Sequence, residues 1–235
     1  MLTDFTKAWN QGQNVVLYEK ENDAIDHEGT LWRAIQAAAP WEGKDLLDLG
    51  CGTGYWLPRY APTTRRLYGV EPDTTLLEAA SERTSNAEVL HGSAEHIPLQ
   101  NASVDVVHAR FAYFFPSPNN ECSAGLAEVL RVLRPGGSLV VIDNDQEHGD
   151  FADLLRAGNV AEYQGPGEYI LQWWRDRGAT TEKVMSSWTF RSARDLEEVV
   201  AMEFPQGTAR SWLQDHPNQT MLSYGYLLHT LTKAI

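Results

Sequence analysis

The stretch Leu47-Asp48-Leu49-Gly50-Cys51-Gly52-Thr53-Gly54 constrains this chain more than any other. An apolar, strand-like run from Asp45 to Leu49 breaks into glycines at alternate positions, and a helix is expected from about Tyr55. A side chain at Gly50, Gly52 or Gly54 would hold a ligand away from the backbone, and glycine permits the positive φ of a tight turn. The amides of such a loop, with the N-terminus of the following helix, suit a nucleotide-like or carboxylate-bearing ligand. Dinucleotide spacing needs a third glycine at position 55, where the chain has Tyr55. No Lys-Ser/Thr pair follows, so the loop is not a phosphate-cradling P-loop. Taken alone, the octapeptide is also compatible with a glycine-rich turn that binds nothing.

The length of 235 residues is ample for a full core and fits one large domain or somewhat more. A formal net charge of -13 argues against a nucleic-acid backbone or an anionic membrane as main partner. The two cysteines, Cys51 and Cys122, are too few for a disulfide framework and lack metal-ligand spacing. His91 and His96 read as loop histidines, with no partner spacing for a metal. No signal-peptide pattern or membrane-length apolar run is visible, so the expectation is a soluble cytoplasmic protein without a metal.

Asp48-x-Gly50-x-Gly52-x-Gly54 resembles motif I of the class I S-adenosylmethionine-dependent methyltransferases. The resemblance implies an α/β fold, a Rossmann-like doubly wound sheet of seven strands, mostly parallel with an antiparallel last strand. It implies S-adenosyl-L-methionine as cofactor and S-adenosyl-L-homocysteine as product, with the methionine end at the glycine loop. Arg66 to Val70 reads as a second strand ending at Glu71. An acidic residue there can accept both hydroxyls of a ribose in open α/β sheets. Glu71-Pro72-Asp73 also resembles the family's second motif, so Glu71 takes that role. After a third short strand, 87–90, the family often has an Asp whose side chain and following amide read the adenine edge. This chain departs from it with Ser93, a weaker acceptor than a carboxylate, followed by Ala94. The unit Arg131 to Gly137, between a helix and a strand over 138–143, is a second family signature, in which Pro and Gly make the turn. The resemblance thus assigns cofactor contacts to Asp48, Gly50, Cys51, Gly52, Gly54, Glu71, Pro72, Ser93, Ala94 and Ala109. Cys51 itself reads as a small buried filler.

Ser103 to Ala109 reads as a buried parallel strand from its continuous apolar run. Arg110 to Phe115 lies just past its carboxyl end, where ligands sit in doubly wound sheets and where the family places the acceptor. Arg110, Phe111, Tyr113 and Phe114 are therefore the candidate substrate residues. Arg110 suits a carboxylate, and an internal salt bridge is its equal alternative. A helix is expected from Pro118 to Leu133, capped by Ser117. Further strands are expected near 184–190 and 223–232.

Residues 1–40 read as an N-terminal arm and helix, with Trp9 and Tyr18 in a polar background and Asp26 as a helix cap. The arm is expected to act as a lid, against the alternative of an arm packed permanently on the outer helices. Residues 41–235 read as the methyltransferase domain, with a substrate-wall insertion near 144–180 that carries Trp173-Trp174. Methyl transfer from a sulfonium is an in-line displacement, so a dry site that fixes geometry does much of the catalysis. A general base is needed only for a protonated acceptor. The candidates are His108, Tyr18, Asp143 and Asp145, each with a structural role as the stronger alternative. Three function classes remain. The first is methylation of O, N or C on a small-molecule acceptor. The second is protein or RNA methylation. The third is cofactor binding without methyl transfer. Composition leaves the oligomeric state open.

Overall fold

The computed structural model describes residues 2, 4, 5, 7, 14–159 and 166–235. The expectation for Trp9 lies outside the described residues. The described helices, in chain order, are α1 (Val15–Ala24), α2 (Thr30–Ala38), α3 (Leu57–Tyr60), α4 (Thr74–Arg83), α5 (Ser123–Val132), α6 (Asp150–Ala157), α7 (Gly167–Asp176), α8 (Ala193–Glu203) and α9 (Gln206–Asp215). The strands are β1 (Asp45–Leu49), β2 (Arg66–Glu71), β3 (Glu88–His91), β4 (Val104–Arg110), β5 (Leu133–Asn144), β6 (Thr180–Thr189) and β7 (Met221–Thr232).

The strands form one sheet in the order β3-β2-β1-β4-β5-β7-β6. Pairings from β3 to β5 are parallel, and β7 runs antiparallel between β5 and β6. The expected seven-stranded, doubly wound architecture is the one observed. Every residue of β1 is buried, as a central strand covered on both faces requires. On one face Leu31, Ile35, Leu154, Val200 and Trp212 pack in a core with Val106 and Ile142. On the other, Val129, Ile170 and Trp174 pack on Leu47, Val107 and Val141. Asp45 opens β1 at the edge opposite the glycine loop, with its carboxylate paired to Arg65 at 2.8 Å and Arg134 at 2.9 Å.

Three boundaries differ from the sequence reading. First, α5 begins at Ser123, not at Pro118. Ser117 and Asn120 exchange backbone hydrogen bonds of 2.8 and 3.0 Å and close a turn, after which Cys122 turns the chain at φ 49°. Second, Pro135-Gly136-Gly137 falls inside β5, where the β4 register shifts between Val104 and Val106. The expected turn residues thus make an irregularity within the strand, with pairing to β4 kept on either side of it. Third, β6 starts at Thr180, because β7 pairs with it along its full length. Among the described residues, no helix is long and apolar enough to cross a membrane.

Asp26 caps α2 as expected, but from outside the helix. Its carboxylate accepts the amides of Leu31 and Trp32, each at 2.8 Å, and the Ser186 hydroxyl at 2.7 Å. The residue is buried. Asp26→Ala strands these donors and is expected to lower stability by about 2–4 kcal/mol. Urea denaturation measures it, and a loss below about 0.5 kcal/mol would contradict the capping role.

Candidate cofactor and acceptor site

The glycine loop folds back on β2, with the amides of Gly50 and Cys51 both donating to the Val70 carbonyl at 2.8 and 3.1 Å. Gly50 and Gly52 take φ of 72° and 58°. A Cβ on Gly50 would lie 2.5 Å from Ala112 Cβ, and one on Gly52 would lie 2.7 Å from the Tyr18 hydroxyl. Both positions therefore admit only backbone. The third glycine has a different reason: a Cβ on Gly54 would press on Leu57 and Ala80 at 3.0–3.1 Å, which is helix packing.

Register explains why the site forms here. Leu49 pairs with Val70 on one side and Ala109 on the other. The next residues, Gly50, Glu71 and Arg110, therefore stand abreast at the carboxyl edge of three adjacent strands. Glu71 is buried, and its Oε2 accepts from the Gly52 amide and its Oε1 from the Asp73 amide, each at 2.9 Å. Burial pushes its carboxyl up to about 7, although the two amides pull against it. Burial also pushes Asp48 up to about 6, against the pull of Arg110.

Above this edge lies a cavity of about 420 Å³, within the range of small-molecule sites. Of the expected residues, Gly50, Gly52, Glu71, Pro72, Ser93, Ala94, Arg110, Phe111, Tyr113 and Tyr18 line it. Asp48, Cys51, Gly54, Ala109 and Phe114 do not line it. Asp48 lies buried below the loop, and Ala109 is enclosed between β1 and β5. Cys51 fills the space beside Gly69, where a Cβ would meet its Sγ at 2.9 Å. Phe114 is corrected from substrate wall to core: it is buried with ring centroids 5.2 Å from Tyr113 and 5.5 Å from Trp174. Its loop is not extended. Phe111 and Tyr113 take positive φ, and Phe114 and Phe115 donate to carbonyls two residues back. This turns Phe114 inward and Phe115 into the cavity wall.

The base candidates separate in the same way. His108 shares a face with Arg110 one pleat deeper, is fully buried beside Trp41, and has Nδ1 3.1 Å from the Tyr60 hydroxyl. Burial lowers its pKa to about 3, so it is a neutral core residue. Asp143 is also buried outside the cavity, pushed up to about 7 by burial, with Oδ1 accepting from the Asn144 amide. Asp145 is occupied by His148 and the Glu147 amide, at 2.8 and 2.9 Å. Neither Asp143 nor Asp145 lines the cavity, so these three candidates are corrected to structural roles. Tyr18 does line it, and burial raises its phenol, so the hydroxyl keeps its proton and can donate. The described part of 144–180 contributes nothing to the lining. Trp173 and Trp174 are buried in the sheet's far-face core instead.

Helix α1 supplies two groups that sequence reading missed, Glu21 and Asn22. With Tyr18 they stand at helical i, i+3, i+4 spacing, and all three are buried. Asn22 Oδ1 accepts from both terminal nitrogens of Arg110 at 3.1 Å, and the guanidinium carbon sits 4.4 Å from the Trp56 ring centroid. Glu21 lines the cavity, and burial together with Glu203 raises its carboxyl well above the usual range. The helix is tied down through Glu19, which meets Thr53 of the glycine loop and Arg83 at 2.6 Å. Asp4 and Phe5 of the arm complete the roof. The available signal was this buried polar face, hidden by the low apolar content of the segment.

Burial of Glu71 has a consequence for stability. Its folded pKa of about 7 lies above the ordinary 4.5, so its contribution is fully present below about 4.5 and is lost as pH rises through 7. The full loss is about 3 kcal/mol. Glu71→Gln removes this dependence, so its stability should gain on the unmodified protein by up to that amount between pH 5 and 8. The buried histidines His108 and His229, both lowered to about 3, act in the opposite sense. They cancel in the difference. Parallel differences at every pH would contradict a titrating Glu71.

A family model for a methyltransferase domain matches residues 46–137. A malonyl-[acyl-carrier protein] O-methyltransferase of Serratia marcescens is 33% identical over 122 residues, 50% of this chain and 47% of that protein. A demethylmenaquinone methyltransferase of Staphylococcus aureus is 26% identical over 149 residues, 61% and 58% of the two chains. The match to these curated relatives thus spans roughly half of their length. In fold, a Bacillus halodurans protein assigned as a methyltransferase superposes with a TM-score of 0.61 at 18% identity, covering 87% of this chain and 99% of the other. With the sheet order, these matches show a Rossmann-like methyltransferase fold in which residues 46–137 match the methyltransferase-domain family model.

Proposed function

We propose that this protein binds S-adenosyl-L-methionine and transfers its methyl group to an O, N or C atom of a planar or anionic small molecule. The observation that carries the reading is the alignment of Glu71, Gly50 and Arg110 at one sheet edge beneath one cavity. The residues present fit the cofactor. Two loop glycines admit only backbone, a buried carboxylate ends β2, and the cavity has the volume of a small-molecule site. When bound, S-adenosylmethionine supplies a methyl on a sulfonium, open to in-line displacement.

The protein's own groups then have separable tasks. Gly50 and Gly52 let the ligand reach the backbone, and Glu71 accepts the ribose hydroxyls. Arg110, oriented by Asn22 and Trp56, binds the acceptor's anionic group, since a guanidinium matches a carboxylate with two parallel donors. Phe111, Tyr113 and Phe115 wall the acceptor. The Tyr18 hydroxyl faces Gly52 and donates toward the methionine end. Helix α1 and the arm roof the cavity, which supports reading the arm as a lid that excludes water. A small-molecule acceptor in the cytoplasm also fits a chain of net charge -13.

The test is adenosylhomocysteine release with a panel of planar carboxylates, phenols, quinones and amines. Turnover with an anionic acceptor is expected, with KM for that acceptor raised about tenfold or more in Arg110→Ala. Methyl label appearing only in protein or RNA would contradict the small-molecule reading. Cofactor binding with no transfer to any class would point to the third function class.

A further inference from the structure

The roof of the cavity carries a carboxylate that the glycine loop and β2 do not supply. Asp4 lines the cavity with a side chain 11% exposed. Its Oδ2 accepts from the Ser93 hydroxyl and lies 2.8 Å from His96 Nδ1. Three residues on, Lys7 Nζ pairs with Asp73 Oδ2 at 2.9 Å. The arm is thus pinned at two points, to the loop after β2 and the loop after β3. Pro72, Asp73, Ser93 and Ala94 of those same loops line one end of the cavity.

The strand order gives this end a meaning. Arg110, Gly50 and Glu71 stand at the ends of β4, β1 and β2, and Glu71 pairs with His91 at the end of β3. The cavity therefore runs across four adjacent strands, about 14 Å at the spacing of a sheet. A ligand that places its ribose on Glu71 and its amino-acid end toward Gly50 and Tyr18 must direct its base over Ser93 and Ala94.

Ser93 is poorly placed to satisfy a base amine alone. Its one hydroxyl proton is committed to Asp4, and it already accepts from the His96 amide at 3.1 Å. An exocyclic amine donates and needs an acceptor, and a carboxylate accepts more strongly than a hydroxyl. The Ser93 and His96 hydrogen bonds hold the Asp4 carboxyl below its ordinary range, against the effect of burial, so it is ionised at neutral pH.

We propose that Asp4 is a cofactor-recognition residue, whose carboxylate accepts the exocyclic amine of adenine. The inference rests on the cofactor reading above. It assigns adenine selectivity to a segment that precedes the sheet and lies far in sequence from the glycine loop.

Calorimetry with S-adenosylhomocysteine and S-inosylhomocysteine tests it, because hypoxanthine replaces the amine with a carbonyl. The unmodified protein should prefer the adenine ligand by about tenfold or more. Asp4→Ala should weaken the adenine ligand about 10- to 100-fold and leave the inosine ligand within a few-fold, erasing the preference. Lys7→Ala, which removes the arm's other pin but keeps the acceptor, should weaken the adenine ligand less than Asp4→Ala does and leave part of the preference. An unchanged preference in Asp4→Ala, or an equal loss for both ligands, would overturn the assignment while leaving the cofactor reading intact. Failure of the unmodified protein to bind either ligand would overturn the cofactor reading and the assignment with it.

Discussion

Glu71→Ala is expected to weaken S-adenosylhomocysteine binding by roughly 30-fold to several hundred-fold. Two charge-assisted hydrogen bonds to a ribose diol are lost, at a combined cost of about 2–4 kcal/mol. The same carboxylate holds the amides of Gly52 and Asp73, so the substitution also frees the loop that faces the ligand. Both effects weaken binding. In stability the signs oppose each other above pH 7, because a buried ionised carboxylate is removed together with its hydrogen bonds. The readout is therefore affinity, by calorimetry at fixed pH on samples shown to be folded. Affinity within twofold of the unmodified protein would exclude Glu71 from the ribose site.

Gly52→Val is the second large effect. The position takes φ 58°, and an added Cβ would lie 2.7 Å from the Tyr18 hydroxyl. Left-handed backbone costs a branched residue at least about 1–2 kcal/mol, and overpacking commonly adds about 1–3 kcal/mol. The valine must displace Tyr18, and with it the seating of α1 over the cavity. Adenosylhomocysteine affinity should fall by on the order of 100-fold or more, and stability should fall with it. Gly52→Ala with Tyr18→Phe relieves the overlap with the hydroxyl but not the backbone strain, and should recover part of both losses. Calorimetry and urea denaturation measure the two quantities. Full affinity in Gly52→Val would mean that the ligand does not approach the loop.

Much of this was legible in the sequence because it depends on local rules. The glycine loop and the acidic end of β2 each follow from a few adjacent residues. The buried strands announce themselves by continuous apolar runs. What was not legible depends on where the chain turns without glycine or proline. Phe111 and Tyr113 adopt positive φ, and that exchanges the roles of Phe114 and Phe115. Ser117-Pro118 has the form of a helix start, yet the pairing of Ser117 with Asn120 competes successfully and delays α5 to Ser123. His108 looked like a candidate base because a histidine near a ligand edge is chemically suggestive. The pleat decides otherwise by placing it one level deeper, in an aromatic pocket.

The N-terminal segment shows a different limit. Tyr18, Glu21 and Asn22 are buried on a helix of low apolar content. The long-range partners Arg110, Thr53 and Glu203 cannot be inferred from the segment itself. Composition marked it as an arm, whereas its hydrogen bonds fix it to both the glycine loop and the carboxyl end of β4. The register of β1 with its two neighbours supplies the other missing fact, that Glu71, Gly50 and Arg110 share one level.

That shared level is most directly tested by a crystal structure with S-adenosylhomocysteine bound. The account predicts both ribose hydroxyls on Glu71, the homocysteine backbone against Gly50 and Gly52, and the Arg110 guanidinium facing the sulfur side of the cavity. A ligand bound away from the ends of β1 and β2, or a guanidinium turned from the sulfur toward the protein interior, would contradict it.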